Sequence, residues 1–164
     1  MSLKSLLEKT MKEWEWEDNV ESNDDNNVHT VSTPYGIDGN SYSMYIEGHD
    51  GPQFIKMFLY SPLSIPKKRH KESCVVINRL NKDVYSGYLD LIGESVRYVH
   101  VVDVEGCKPE VQIVTNMRNA AGNSFRSDIV QALGALAFTK LSADEIIAQY
   151  EAPDDDSDDV PDEL

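Results

Sequence analysis

Cysteine is scarce in this chain of 164 residues: Cys74 and Cys107 are the only two, and neither sits in a Cys-x-x-Cys pair or at a spacing that zinc uses. A disulfide framework and a zinc-stapled scaffold are therefore excluded, and both thiols are expected to be free. Long apolar runs are missing as well. No stretch approaches the ~20 residues needed to span a bilayer, and residues 1–16 lack the basic start, apolar stretch and cleavage site of a secretory leader. The expectation is a cytoplasmic protein with no membrane partner. Positive charge is sparse, with 15 basic residues against 29 acidic ones and a formal net charge of -14. A surface of that sign repels phosphate backbones, so direct nucleic-acid binding is not expected.

The acid is unevenly placed. Eight acidic residues (Glu151, Asp154, Asp155, Asp156, Asp158, Asp159, Asp162 and Glu163) crowd residues 151–164, which carry no basic residue. The rest of the chain is mildly acidic, and its 40% hydrophobic and 27% charged composition, with a mean hydropathy of -0.45, is that of a folded water-soluble protein. One domain over residues 1–152, followed by a disordered acidic tail at 153–164, is the expected organisation.

Hydrophobic periodicity then divides the domain. Residues 2–14 read as an amphipathic helix capped by Ser2, with Leu3, Leu6, Leu7, Met11 and Trp14 at helical spacing. Residues 18–27, mostly acids and asparagines, read as a loop or a poorly ordered edge. The period then becomes two, giving strands at 28–35, 40–47 and 53–60 with turns at Gly36-Ile37-Asp38-Gly39 and His49-Asp50-Gly51. Tyr42, Met44 and Ile46 should face a core while Ser41, Ser43 and Tyr45 face water. A helix is expected from Pro66 to about residue 82, with an apolar stripe drawn from Cys74, Ile77 and Leu80 or the overlapping Val75 and Val76. A second hairpin follows at 84–91 and 96–104. Pro109 opens one long helix through Ala137, weakened at Gly122-Asn123, and the Ser142/Glu145 pair has the spacing of a capping box for a last helix at 143–150. The fold class is α+β with an antiparallel sheet.

Little in these residues carries chemistry. Cys74 reads as a small buried thiol, and Cys107, after Gly106, as a surface one. His29, His49, His70 and His100 are scattered, no two of them at i, i+4, and His100 and Asp103 fall on opposite faces of one strand, so no metal site is expected. There is no Walker loop and no Gly-x-Gly-x-x-Gly, and no cofactor is expected. The basic run Lys67-Lys68-Arg69-His70-Lys71 reads as a solvated helix start, with an acidic or phosphate contact as its functional alternative. Trp14 and Trp16 cannot share one helical face, which leaves one available as an interface anchor. The acidic tail reads first as a solubilising segment.

Several strings carry a resemblance: Leu59-Tyr60-Ser61-Pro62 leading into Ile65-Pro66, Ile77-Asn78-Arg79-Leu80-Asn81, and Gly87-Tyr88-Leu89-Asp90 followed by Val96-Arg97-Tyr98. Over residues 53–150 the chain resembles the YbjN family of bacterial sensory transduction regulators. The resemblance implies a fold like the type III secretion chaperones, in the order helix, three strands, helix, two strands, helix, which is also the order the periodicity indicates. It further implies a homodimeric, peptide-binding scaffold with no active site. The acidic extension and the asparagine-rich early loop depart from that pattern.

The expected function is therefore a non-enzymatic protein–protein interaction module, a chaperone-like adaptor or regulator that holds a segment of a partner protein. The rival expectation is an acidic decoy that blocks a nucleic-acid-binding protein through its tail and acidic face. The residues that would contact a partner are not identifiable at this level.

Overall fold

Ser2 opens the first helix, its hydroxyl accepting a hydrogen bond from the Ser5 N–H, and α1 runs Leu3–Glu13 with Leu3, Leu6, Leu7, Thr10 and Met11 buried. The structure, a computed structural model, describes residues 2–23 and 25–152; the tail expectation for 153–164 lies outside the described residues.

Six strands form one antiparallel sheet: β1 (Glu21–Asn23), β2 (Val28–Ile37), β3 (Asn40–His49), β4 (Phe54–Ser64), β5 (Tyr88–Ile92) and β6 (Ser95–Asp103), in the spatial order β1-β2-β3-β4-β6-β5. The β2–β3 hairpin closes on Asp38-Gly39, both at positive φ (47° and 78°), which is the backbone a two-residue turn demands. Residues 18–27, expected to be a loop or a poorly ordered edge, contain a short edge strand, in which Glu21, Ser22 and Asn23 pair with Thr30, His29 and Val28. All three are exposed, so no apolar alternation marks them.

One face of the sheet is buried. Val31, Tyr42, Met44, Ile46, Ile55, Met57, Leu59, Leu89, Val96 and Tyr98 point to it, as the period of two requires. Five helices lie on that side, α1 against β2 and β3, α2 (His70–Leu80) against β5, α3 (Val111–Asn123) against β4 and β6, α4 (Ser127–Phe138) against β4, and α5 (Ala143–Glu151) against α2 and α4.

Two helical expectations are corrected. The long helix from Pro109 is two, because the Ser124 hydroxyl bonds back to the Ala120 carbonyl at 2.8 Å and Phe125 leaves the helical path to pack in the core, its ring 4.9 Å from that of Tyr42. Arg126 is extended and α4 starts afresh. The stripe of α2 is Ser73, Val76, Ile77 and Leu80, so Cys74 is exposed and not buried; Ser73 takes the inward position and bonds the Arg69 carbonyl at 2.8 Å. The capping box at Ser142 and Glu145 is formed. Among the described residues no helix is long and apolar enough to cross a membrane.

Candidate functional site

Among the described residues the helices all sit on one side, so the other face of the sheet is open there, and its side chains follow from register. One row across the strands reads Tyr88, Val99, Phe58, Tyr45 and Ser32; the next reads Asp90, Arg97, Tyr60, Ser43 and Pro34. The first row is apolar through four strands, and cross-strand neighbours about 5 Å apart make it a continuous ridge. Val99 is buried between Phe58 and Tyr88, while Tyr88 is 49% and Tyr45 37% exposed. Val101 and Ile92 extend the apolar surface to either side, at 47% and 45% exposure.

Arg97 organises the second row. Its Nη1 donates to the Tyr60 hydroxyl at 3.1 Å and its Nη2 to the Asp90 carboxylate at 3.0 Å, while the guanidinium carbon lies 5.0 Å from the Phe58 ring centre and 5.8 Å from that of Tyr60. Burial pulls its pKa down, but the hydrogen bonds to Tyr60 and Asp90 outweigh this and hold it above the ordinary arginine value. Tyr45 meets Tyr60 edge-on at 5.6 Å. These side chains surround a shallow hollow of about 470 Å³. The polar residues His49, Glu47 and Lys56, gathered around Phe54, border the aromatic ridge, with His49 Nε2 2.8 Å from Glu47 and Lys56 Nζ 4.8 Å from the Phe54 ring centre.

The open face ends at the free edge of β5. Asn81, just after α2, brackets this edge: its Nδ2 donates to the Leu89 carbonyl at 3.0 Å and its Oδ1 accepts from the Leu89 N–H at 2.6 Å. The amide stands where the peptide of a neighbouring strand would, and the next backbone pair facing outward is that of Leu91. Between α2 and β5 lies a groove of about 530 Å³ lined by His70, Cys74, Ile77, Asn78, Leu91 and Gly93 among others.

The residues singled out in the sequence do not converge on one place. Cys74 is in that groove and Cys107 is exposed in the turn after β6. The basic run splits: Lys67, Lys68 and Lys71 are exposed, whereas Arg69 is buried and donates to the Thr139 carbonyl at 3.0 Å and to the Leu141 carbonyl, clasping the α4–α5 connection. Trp14 and Trp16 are both half-buried. The helix ends at Glu13, Glu15 takes φ 57°, and the turn brings Trp16 back against Trp14 with the rings 4.7 Å apart, so neither is a free anchor. Among the described residues no group of three or more His, Cys, Asp or Glu is placed to hold a metal.

Two hydrogen-bonded clusters were not legible in the sequence. Ser22, His29 and Asp50 meet at the start of α1, and Ser86, Tyr98 and His100 meet beside β5, in each case joining residues that carry no recognisable spacing.

No family model matches the chain, so the YbjN resemblance rests on the strings quoted above. No curated protein matches it either. A solved structure that it resembles is that of the HopA1-SchA chaperone-effector complex, at 14% identity and a TM-score of 0.49, over 82% of this chain and 92% of that one.

Proposed function

We propose that the chain is a protein-binding module, a chaperone-like adaptor that receives an extended segment of another protein on the open face of its sheet. The observation that carries this reading is the uninterrupted row in which Tyr88, Phe58 and Tyr45 flank the buried Val99, on the face opposite to the one on which the described helices pack. Aromatic side chains held in place by their neighbours lose little freedom on binding, which is why such residues dominate binding energy at interfaces. The Arg97, Asp90 and Tyr60 group satisfies its own polar atoms, so an apolar segment can settle beside it without stranding a charge.

The same reading assigns this face binding and no catalysis, with no cofactor, and it takes the protein to be a homodimeric cytoplasmic regulator of the YbjN type. The decoy alternative depends on residues 153–164, and nothing on the sheet face favours it.

The test is a selection from a displayed library of random 15-residue peptides on the immobilised full chain. Binders whose capture is competed away by one another, and lost on Tyr45→Lys/Tyr88→Lys, support the reading. A library that yields no binder, or binders indifferent to these substitutions, overturns it.

A further inference from the structure

His29 and Ser22 face each other directly across β1 and β2, and the turn after β3 brings Asp50 to the far side of the same imidazole. His29 is buried, 8% exposed, on the helix side of the sheet. Its partner on β3 is Gly48, which leaves room for α1: a Cβ there would stand 2.8 Å from Leu3 Cβ. Because α1 comes this close, the Leu3 N–H donates to Asp50 Oδ1 at 2.8 Å, while the Asp50 N–H bonds the Asn27 carbonyl at 3.0 Å. The carboxylate is thereby fixed by backbone, and its second oxygen lies 3.1 Å from His29 Nε2.

A carboxylate only accepts, so Nε2 donates to Asp50, and in the neutral form of the ring this leaves Nδ1 as the acceptor. Ser22 Oγ lies 3.0 Å from Nδ1, and in that form of the ring its hydroxyl is the donor. Ser22 itself is exposed. The result is a hydroxyl in solvent, backed by a buried imidazole, backed by a carboxylate held by two strands' worth of scaffold and a helix start. This is the order of groups that activates a serine nucleophile, recognised by geometry and role and independent of position in the chain.

We infer that Ser22 is an activated nucleophile, able to accept the acyl group of a small ester or thioester presented from solvent and pass it to water. Ser22 Oγ adds to the carbonyl carbon as its proton moves to His29 Nδ1, and the imidazolium so formed is held against the Asp50 carboxylate. Collapse of the adduct expels the alkoxide or thiolate, which takes the proton from Nδ1. Water, deprotonated by the same nitrogen, then attacks the acyl carbon, and Ser22 leaves with its proton restored. Ser22 and His29 touch the reacting atoms; Asp50 is a positioning residue.

The molecule contains its own control. Ser86 Oγ lies 3.0 Å from His100 Nε2, but the other ring nitrogen faces the Tyr98 hydroxyl at 3.1 Å, and that hydroxyl donates its one proton to the Ser86 carbonyl at 2.6 Å. No carboxylate backs this ring, so an imidazolium at His100 is not stabilised.

The experiment treats the full chain with a fluorophosphonate probe, maps the adduct by peptide mass spectrometry, and follows p-nitrophenyl acetate hydrolysis in parallel. The expected result is one adduct on Ser22, with labelling and hydrolysis lost in Ser22→Ala, unchanged in Ser86→Ala, and slowed roughly a hundredfold in His29→Gln. Asp50→Asn keeps an acceptor for the Leu3 N–H, so it should slow labelling while moving the melting temperature little, a split that a purely structural role would not produce. Absence of a Ser22 adduct in the unaltered chain, equal labelling of Ser86, or Ser22 labelling undiminished in both His29→Gln and Asp50→Asn overturns the inference. Because Ser22 and His29 lie on the helix side of the sheet and Tyr45 and Tyr88 on the other, none of these outcomes bears on peptide capture by the sheet face.

Discussion

The guanidinium carbon of Arg118 stands 4.2 Å from the centre of the Trp14 ring, joining α3 to the last turn of α1. Trp16 closes the group from the other side, 5.9 Å from the same carbon and 6.3 Å from the Tyr35 ring, and Trp14 Nε1 donates to Thr115 Oγ1 at 3.1 Å. Both tryptophans of the protein are in this cluster, so their fluorescence reports on it.

Arg118→Ala should therefore destabilise the fold by about 1–2 kcal/mol, the range for a partly desolvated cation–π contact. Denaturant unfolding followed by tryptophan fluorescence measures it. Arg118→Lys should recover part of the loss, since an ammonium keeps the charge over the ring but not the planar stack.

The start of β5 makes a second prediction. Gly87 has φ +73°, and a Cβ there would stand 2.7 Å from the Tyr98 ring and hydroxyl and closer still to the Val99 carbonyl. Gly87→Ala should cost more than about 2 kcal/mol, combining a strained backbone with a clash against a fully buried tyrosine. Gly39→Ala, at φ +78° with open space around it, isolates the backbone part and should cost about 1 kcal/mol. Equal losses at the two positions would contradict the packing assigned to Gly87.

These elements also show what a sequence can and cannot reveal. The strands were legible because Tyr42, Met44 and Ile46 alternate with polar residues, and the capping box because Ser142 and Glu145 are three apart. β1 was not legible, since Glu21, Ser22 and Asn23 are all polar and exposed and carry no apolar alternation. In the run Ser73-Cys74-Val75-Val76-Ile77 several helical phases look equally apolar; the clasp of Arg69 on Thr139 and Leu141 sets the real one, through contacts some 70 residues away. The break at Ser124 was masked because Phe125 continues the apolar pattern. Tyr45 was correctly placed on the outer face, but that Phe58, Val99 and Tyr88 would join it in one row depends on pairing register, which local pattern does not specify.

Arg69 carries the third prediction. Arg69→Met should cost about 2–4 kcal/mol, because it strands two carbonyls that accept from a charged donor. Lys67→Ala and Lys68→Ala, both exposed, should stay within about 0.5 kcal/mol. Calorimetric melting of the three variants separates a structural arginine from its solvated neighbours.

Stability should also depend on pH at two separate edges. Burial holds His100 below its ordinary value of 6.5, so between that value and its folded pKa the unfolded chain binds more protons and stability falls as pH falls. Burial holds Tyr98 above its ordinary 10.0, so above that value the unfolded chain loses a proton the folded chain keeps, and stability falls as pH rises. Asp83 and Glu145 are held below 3.8 and 4.5, so their contribution is lost only in more acidic solution. Unfolding titrations should show a plateau between about 6.5 and 10, and His100→Gln should flatten the slope just below it.

The central claim is that the row in which Tyr88, Phe58 and Tyr45 flank the buried Val99 is where another protein binds. Its most direct test is the affinity of a library-selected peptide for the unaltered chain, for Tyr45→Lys/Tyr88→Lys, and for Phe138→Lys, which changes an exposed phenylalanine at the far end of α4. The account expects the sheet-face variant to fold normally and bind roughly a hundredfold more weakly, as loss of aromatic anchors dictates, with Phe138→Lys unchanged. Equal affinity for all three chains, or a loss confined to Phe138→Lys, would contradict it.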